Sequence, residues 1–220
     1  MYAHPNRRFF RMSIPPERLI TLPLAGADLR YDEHAWPEHE ADTLFASLHA
    51  EVPWERHRLR LFGRTVDSPR LSCWIGDTDA VYTYARTRFE PVPWTPTVAK
   101  LRDQLATRWN LRFNSVLANL YRDGRDSMGW HSDDEPELGA RPIIASLSFG
   151  VPRAFRLRSR ATREPALALE LAHGSLFVMG GDTQRNYQHA LPRRAGVEQP
   201  RINLTFRWVD AAARRRREDA

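Results

Sequence analysis

The chain has 220 residues, 42% of them apolar, with 7 Trp, 6 Tyr and 10 Phe, which suits one packed domain and excludes a disordered chain. No apolar run approaches the length of a membrane helix, nothing near the start reads as a secretory signal, and the single Cys73 excludes an internal disulfide and a cysteine-based zinc site. The expectation is a monomeric intracellular protein, cytoplasmic and without a membrane partner. A net charge of +6 suits a polyanion. However, every basic residue except Lys100 is arginine, a bias that genome composition also produces, so charge alone decides little.

In chain order, residues 1–34, with Pro5, Pro15, Pro16 and Pro23, read as an irregular N-terminal segment, and Met12 is a second candidate start. From Pro37 to Glu51, Leu44, Phe45 and Leu48 recur at helical spacing. A second helix starts at Thr95, an N-cap residue followed by Pro96, and carries Val98, Leu101, Leu105 and Trp109 on one face. After Asn110 the texture changes to short strands at 113–121, 143–150, 154–160, 166–171, 175–180 and 201–209, separated by Gly, Asp and Pro clusters. The fold class is α+β, mainly β: a jelly-roll sandwich or barrel with helices supporting one face. One domain spans 35–209, divided into 35–112 and the strand-rich 113–209. Residues 210–220, with the run Arg214 to Arg217, form a basic tail that could add nonspecific phosphate affinity.

The last strand poses a physical question. Arg201, Asn203, Thr205 and Arg207 share one face, while Ile202, Leu204, Phe206 and Trp208 form an ordinary core face opposite. Two guanidiniums inside a barrel require anionic partners, so the polar face is either external or grips a small dianion. Asn119 and Tyr121 share a face of the 113–121 strand, which runs on into GWHSDDE at 129–135. A His-x-Asp is weak evidence, because 8 His and 14 Asp give about half of one by chance. His189, just upstream of the arginine strand, reads by itself equally as a satisfied loop histidine. Together, His131, Asp133 and His189 can make a facial triad with open positions, which favours non-haem Fe(II) over zinc. Open positions leave room for a chelating cosubstrate and oxygen, with the arginines binding the cosubstrate's carboxylates.

The motifs NLY (119–121), HSDDE (131–135), PIIASLSFG (142–150), HGSLFVMGG (173–181), YQHALP (187–192) and RINLTFR (201–207) resemble the AlkB-type Fe(II)- and 2-oxoglutarate-dependent dioxygenases in order and spacing, over roughly residues 45 to 208. The resemblance implies a double-stranded β-helix core with an N-terminal nucleotide-recognition lid. It implies His131, Asp133 and His189 as iron ligands and catalytic centre. Tyr121 and Arg201 would hold the distal carboxylate of 2-oxoglutarate, Asn119 and Arg207 would lie near its chelating end, and Asn203 and Thr205 would line the same pocket. With Fe(II), 2-oxoglutarate and O2, such enzymes remove N-methyl groups as formaldehyde and release succinate and CO2.

Upstream, RLRLFGRTVDSPRLSCWIGD (58–77) resembles the finger segment of the duplex-DNA repair branch, with Leu61, Phe62 and Gly63 in the place of the apolar wedge. Arg58, Arg60 and Arg64 flank it with phosphate-seeking charge. Tyr82 and Tyr84, on one strand face, align with aromatics that stack on a flipped base. Glu135 matches a carboxylate facing the base's exocyclic amine, while Arg70 and Asp134 are further candidates near the nucleic acid. The structural alternatives are a surface hairpin packed on the core and rim tyrosines. The implied function is oxidative demethylation of 1-methyladenine and 3-methylcytosine in duplex or single-stranded DNA. The competitors are the same chemistry on RNA or protein, and a catalytically silent nucleic-acid-binding module.

Overall fold

A computed structural model describes residues 19–61, 64–84 and 87–210; at 58–61, 64–66, 82–84 and 87–89 the description is of the backbone. The chain opens with β1 (Ile20–Leu22) and β2 (Asp28–Asp32), then α1 (Glu38–Glu51), the hairpin β3 (Arg58–Leu61) and β4 (Arg64–Asp67), and β5 (Leu71–Gly76). A short hairpin, β6 (Tyr82–Tyr84) and β7 (Thr87–Phe89), precedes α2 (Pro96–Trp109). There follow β8 (Ser115–Tyr121), β9 (Met128–His131), β10 (Ile144–Gly150), β11 (Arg153–Ser159), β12 (Pro165–Leu171) and β13 (Ser175–Gly180). A single helical turn, α3 (Thr183–Asn186), then leads to β14 (Tyr187–Leu191) and β15 (Arg201–Arg207).

The strands form a major sheet, ordered β1-β2-β13-β10-β15-β8-β5, and a minor sheet, ordered β12-β11-β14-β9. Every pairing within both is antiparallel. The sheets face each other across a core to which the major sheet gives Leu29, Ile144, Phe177 and Met179, and the minor sheet Phe155, Leu157 and Leu171. This is the expected jelly-roll.

The outer face of the major sheet is apolar too. Ala145, Leu147 and Phe149 of β10 and Ile202, Leu204 and Phe206 of β15 pack on Leu44 and Leu48 of α1 and Val98, Leu101 and Leu105 of α2. Both helices fall where the apolar spacing placed them. Thr95 is the extended residue before α2, but its hydroxyl makes no hydrogen bond. Glu51, at the end of α1, satisfies the start of α2 instead. Its carboxylate accepts from the Thr97 amide at 3.0 Å and the Thr97 hydroxyl at 2.6 Å, placing negative charge at a helix N-terminus.

Two expectations are corrected. The segment read as irregular through residue 34 contributes β1 and β2, and β2 pairs with β13 in the register Leu29↔Met179. Leu29 is the one fully buried side chain of that strand, so the chain carried almost no periodicity to read; the neighbouring strand supplies the order. Trp208 was assigned to the core face of the last strand, but β15 ends at Arg207 and Trp208 is 57% exposed.

The turn into β13 depends on a backbone shape that only glycine adopts freely. Gly174 has φ +72°, and a Cβ there would lie 2.6 Å from the Trp36 carbonyl oxygen, itself the neighbour of a Trp36–Gly174 backbone bond. Gly174→Ala is expected to lower unfolding free energy by about 1–3 kcal/mol, read as a shift of the urea midpoint. Gly129→Ala, where nothing lies within 4 Å, is the matched control.

Candidate active site

The pairing of β9 with β14 sets His131 directly opposite His189, with ring centroids 4.2 Å apart. Asp133 lies just past the end of β9, and the turn brings its carboxylate back over both rings. Its Oδ1 is 3.8 Å from His131 Nε2 and its Oδ2 is 3.9 Å from His189 Nε2. The three donor atoms all lie within 4.8 Å of one another, the spacing of ligands around one ion.

The orientation of each ligand has a cause. His131 Nδ1 sits 2.9 Å from the Gly129 carbonyl, so the proton belongs there and the Nε2 lone pair faces Asp133. The His189 ring stacks on Phe155 at 5.3 Å. The Asp133 amide donates to Gln184 Oε1 at 2.9 Å, tying the turn to α3.

The charges are buried as well as paired. Arg207 donates from Nη2 to Asp133 Oδ1 at 2.8 Å, with both side chains 4% exposed. Burial alone would raise the Asp133 carboxyl, but Arg207 and the two imidazoles bring it down to about 2. Burial, followed by the neighbouring His131, pushes His189 down to about 3, and burial lowers His131 as well. Both imidazoles are therefore neutral at neutral pH, the form in which a histidine can bind a metal.

The polar face of β15 points into this cavity and not to solvent, which answers the question its alternation raised. Arg201, Asn203, Thr205 and Arg207 are all buried, and they line one cavity with Asn119, Tyr121 and the three ligands. The antiparallel register places Arg201 opposite Tyr121 and Asn203 opposite Asn119. Arg201 lies over the Tyr121 ring at 5.4 Å and donates from Nη2 to Ser148 Oγ at 2.9 Å. Among the described residues its buried Nε and Nη1 have no hydrogen-bond partner within normal distance, and burial lowers its pKa to about 10. Asn203 donates to Ser146 Oγ and accepts from Thr205, so these two shape the wall. Asp133 Oδ2 likewise lacks a hydrogen-bond partner. A buried carboxylate oxygen facing two imidazoles fits a cation, and buried unpartnered guanidinium donors fit an anion.

The remaining candidates divide. Glu135 immediately precedes the short turn Pro136–Leu138, two residues beyond Asp133, and its side chain makes no capping bond there. Arg70 is 5% exposed and donates to Asn119 Oδ1 at 2.6 Å, so it braces the cavity wall and does not present its guanidinium to solvent. Asp134 is held by Arg160. Phe62 and Gly63 lie outside the described residues, and at Leu61, Tyr82 and Tyr84 only backbone is described; Leu61 pairs with Arg64 and Tyr84 with Thr87.

Sequence reasoning passed over three residues. Arg153, 1% exposed, donates to the carbonyls of Asp123, Asp126 and Pro192 and lies over the Tyr121 ring at 6.0 Å, fixing the loops at that end of the cavity. Its signal was a basic residue in phase with Phe155 and Leu157. Ser148 was legible as a hydroxyl alternating with Leu147 and Phe149. Gln184 carried no signal.

A barrel that buries a two-histidine, one-carboxylate centre beside an unsatisfied anion clamp defines a metal-dependent enzyme class that uses a chelating acid as cosubstrate. Residues 28–207 match the family model described as the 2OG-Fe(II) oxygenase superfamily, and the chain belongs to that superfamily. It is 43% identical over 179 residues to the alpha-ketoglutarate-dependent dioxygenase alkB homolog 3 of Bos taurus, covering 77% of this chain and 62% of that protein. It is 39% identical over 180 residues to the DNA oxidative demethylase ALKBH2 of Homo sapiens, covering 77% of this chain and 69% of that protein. The solved structure titled "The structure of OsALKBH1" matches with a TM-score of 0.59 at 16% identity, over 87% of this chain and 100% of that one, a likeness of fold. The chain thus spans 62% of the length of the alkB homolog 3 relative.

The depressed pKa values make stability pH-dependent. Both histidines have folded pKa values below the ordinary 6.5, so the unfolded chain binds more protons and stability falls as pH drops below about 6.5, for His189 down to its folded value of about 3. The Asp133 contribution is present above 3.8 and is lost as pH falls through about 2. The metal-free protein should therefore melt at progressively lower temperature from pH 7 to pH 4. His189→Asn should flatten that slope, as followed by differential scanning calorimetry.

Proposed function

We propose that the protein is an Fe(II)- and 2-oxoglutarate-dependent dioxygenase that removes methyl groups from the base-pairing nitrogens of DNA, with 1-methyladenine and 3-methylcytosine as targets. The observation that carries this reading is one buried cavity holding both the His131–Asp133–His189 cluster and the unpartnered donors of Arg201. The DNA assignment rests on relatives named DNA oxidative demethylase at 37% to 40% identity and on the finger motif at 61–63.

His131, Asp133 and His189 would hold ferrous iron, leaving positions for 2-oxoglutarate and oxygen. Bound ferrous iron would activate O2, the oxidant: one oxygen atom would end in succinate as 2-oxoglutarate is decarboxylated, and the other in the unstable hydroxymethyl group made from the N-methyl. The chain's own work is positioning. Arg201 binds the distal carboxylate with the Nε and Nη1 donors that lack partners, and the Tyr121 ring fixes the guanidinium plane. Arg207 holds Asp133 deprotonated and aimed at the histidines. Arg70 orients the Asn119 amide beside the chelating end. Glu135 supplies a carboxylate next to a positively charged methylated base. The hydroxymethyl product expels formaldehyde, and 2-oxoglutarate leaves as succinate and carbon dioxide.

The direct test is incubation with Fe(II), ascorbate, 2-oxoglutarate and a 1-methyladenine oligonucleotide, following methyl loss by mass spectrometry and succinate release. A protein that binds the oligonucleotide but releases no succinate would be the silent module. His131→Ala should abolish both products. Arg201→Met should raise KM for 2-oxoglutarate by about 30-fold or more, the effect of truncating one partner of a buried charge pair. Phe62→Ala should lower activity on duplex more than on single strands.

A further inference from the structure

The edge strand β9 points His131 into the cavity, while its neighbour Trp130 points to the outer face of the minor sheet and is 38% exposed. An exposed tryptophan by itself means little. Three features make this one a built surface.

First, it is held rigid. The Arg158 guanidinium lies over the indole, 4.4 Å from the centroid, and is fixed there by two hydrogen bonds to Gln188 Oε1, at 3.1 and 2.9 Å. Second, the face is positively charged without compensation. Arg163 donates to the same Gln188 oxygen, so two guanidiniums converge on one neutral acceptor, and Arg156 is exposed on the same strand face. Among the described residues no carboxylate forms an ion pair with Arg156, Arg158 or Arg163. Like charges brought together around an amide oxygen repel, and an anion placed between them relieves it. Third, there is room. A groove beside Trp130 is lined by Arg156, Leu157, Pro165, Ala166, Leu167 and Ala168, so apart from Arg156 its walls are apolar.

A largely apolar groove, one fixed indole and guanidiniums without a carboxylate partner fit a nucleobase together with its phosphate. We propose that this outer face is a second nucleotide subsite. In it Trp130 stacks on an unpaired base flanking the target on the same strand, and Arg158 and Arg163 take the adjoining phosphate. Trp130 and His131 are consecutive, so a strand rounding the β9 edge offers one base to the cavity and the next to the indole. The subsite rests on the nucleic-acid reading above, but it predicts something separate: a preference for substrates unpaired beside the lesion.

The test uses the full chain loaded with Mn(II) and 2-oxoglutarate, with fluorescence anisotropy of short single-stranded oligonucleotides, and of the matching duplexes, as the readout. Trp130→Ala should weaken binding by about 5- to 150-fold, the range for losing one base–aromatic stack, and Trp130→Phe should recover most of it. Because Trp130 adjoins a metal ligand, Arg158→Gln with Arg163→Gln reads the same subsite from another strand and should weaken binding and flatten its salt dependence. An abasic nucleotide at one flanking position should weaken the wild type to the level of Trp130→Ala and erase the difference between them. Equal binding by all variants overturns the proposal, as does a loss that no single abasic position reproduces. So does a loss confined to duplex, which would assign the arginines to the paired strand's phosphates. Oligonucleotide binding that follows these rules without methyl loss would instead sink the demethylase reading and leave the subsite standing.

Discussion

Burying charge between two sheets is the constraint around which this molecule is organised. Taken over the whole residue, Asp133, Arg153, Arg201 and Arg207 are each at most 3% exposed. An uncompensated buried ion costs several kcal/mol, so each needs a partner of suitable geometry. Arg207 and Asp133 supply one another. Arg153 is met by three backbone carbonyls from two loops, which its planar fork can reach together. Arg201 is the exception, donating to the Ser148 hydroxyl while, among the described residues, two of its buried donors stay unspent. Such an imbalance is tolerated only inside a scaffold held by other forces, and here those are the apolar layers on either side.

That division of labour runs along each strand. The alternating faces of β8, β10 and β15 send aliphatic and aromatic groups to α1 and α2, and amides, hydroxyls and guanidiniums to the cavity. The helix layer supplies the burial that stabilises the sheet. The inner face can then carry polar groups that by themselves would weaken a core. The other half of the space between the sheets, built from Leu29, Phe155, Leu171 and Phe177, stays apolar and keeps the sheets from separating.

The metal cluster depends on the same architecture at closer range. A histidine pair brought together across a β-ladder is rigid because both backbones are fixed by their pairing. Burial keeps the imbalance of protons in favour of neutral imidazoles, and Arg207 keeps the carboxylate ionised. The charge state of the three side chains is therefore set by the surroundings of the site. Gln184 and Phe155 fix how Asp133 and His189 are turned.

The sequence alone determined the elements whose pattern is local. Both helices, the six strands β8, β10, β11, β12, β13 and β15, and the division of β15 into a polar and an apolar face follow from periodicity, because a side chain's face is set by its spacing within a few residues. The motif order was enough to nominate His131, Asp133, His189, Asn119, Tyr121, Arg201 and Arg207. Whether the arginine face looked inward or outward was not decidable from alternation, since both arrangements alternate identically; only the second sheet closing over β15 decided it. The strands β1 and β2, the capping of α2 by Glu51, the exposure of Trp208 and the turn of Arg70 toward Asn119 were likewise settled by partners far away in the chain. Local spacing carries no record of such partners, because the free energy that selects them exists only once the distant segments meet.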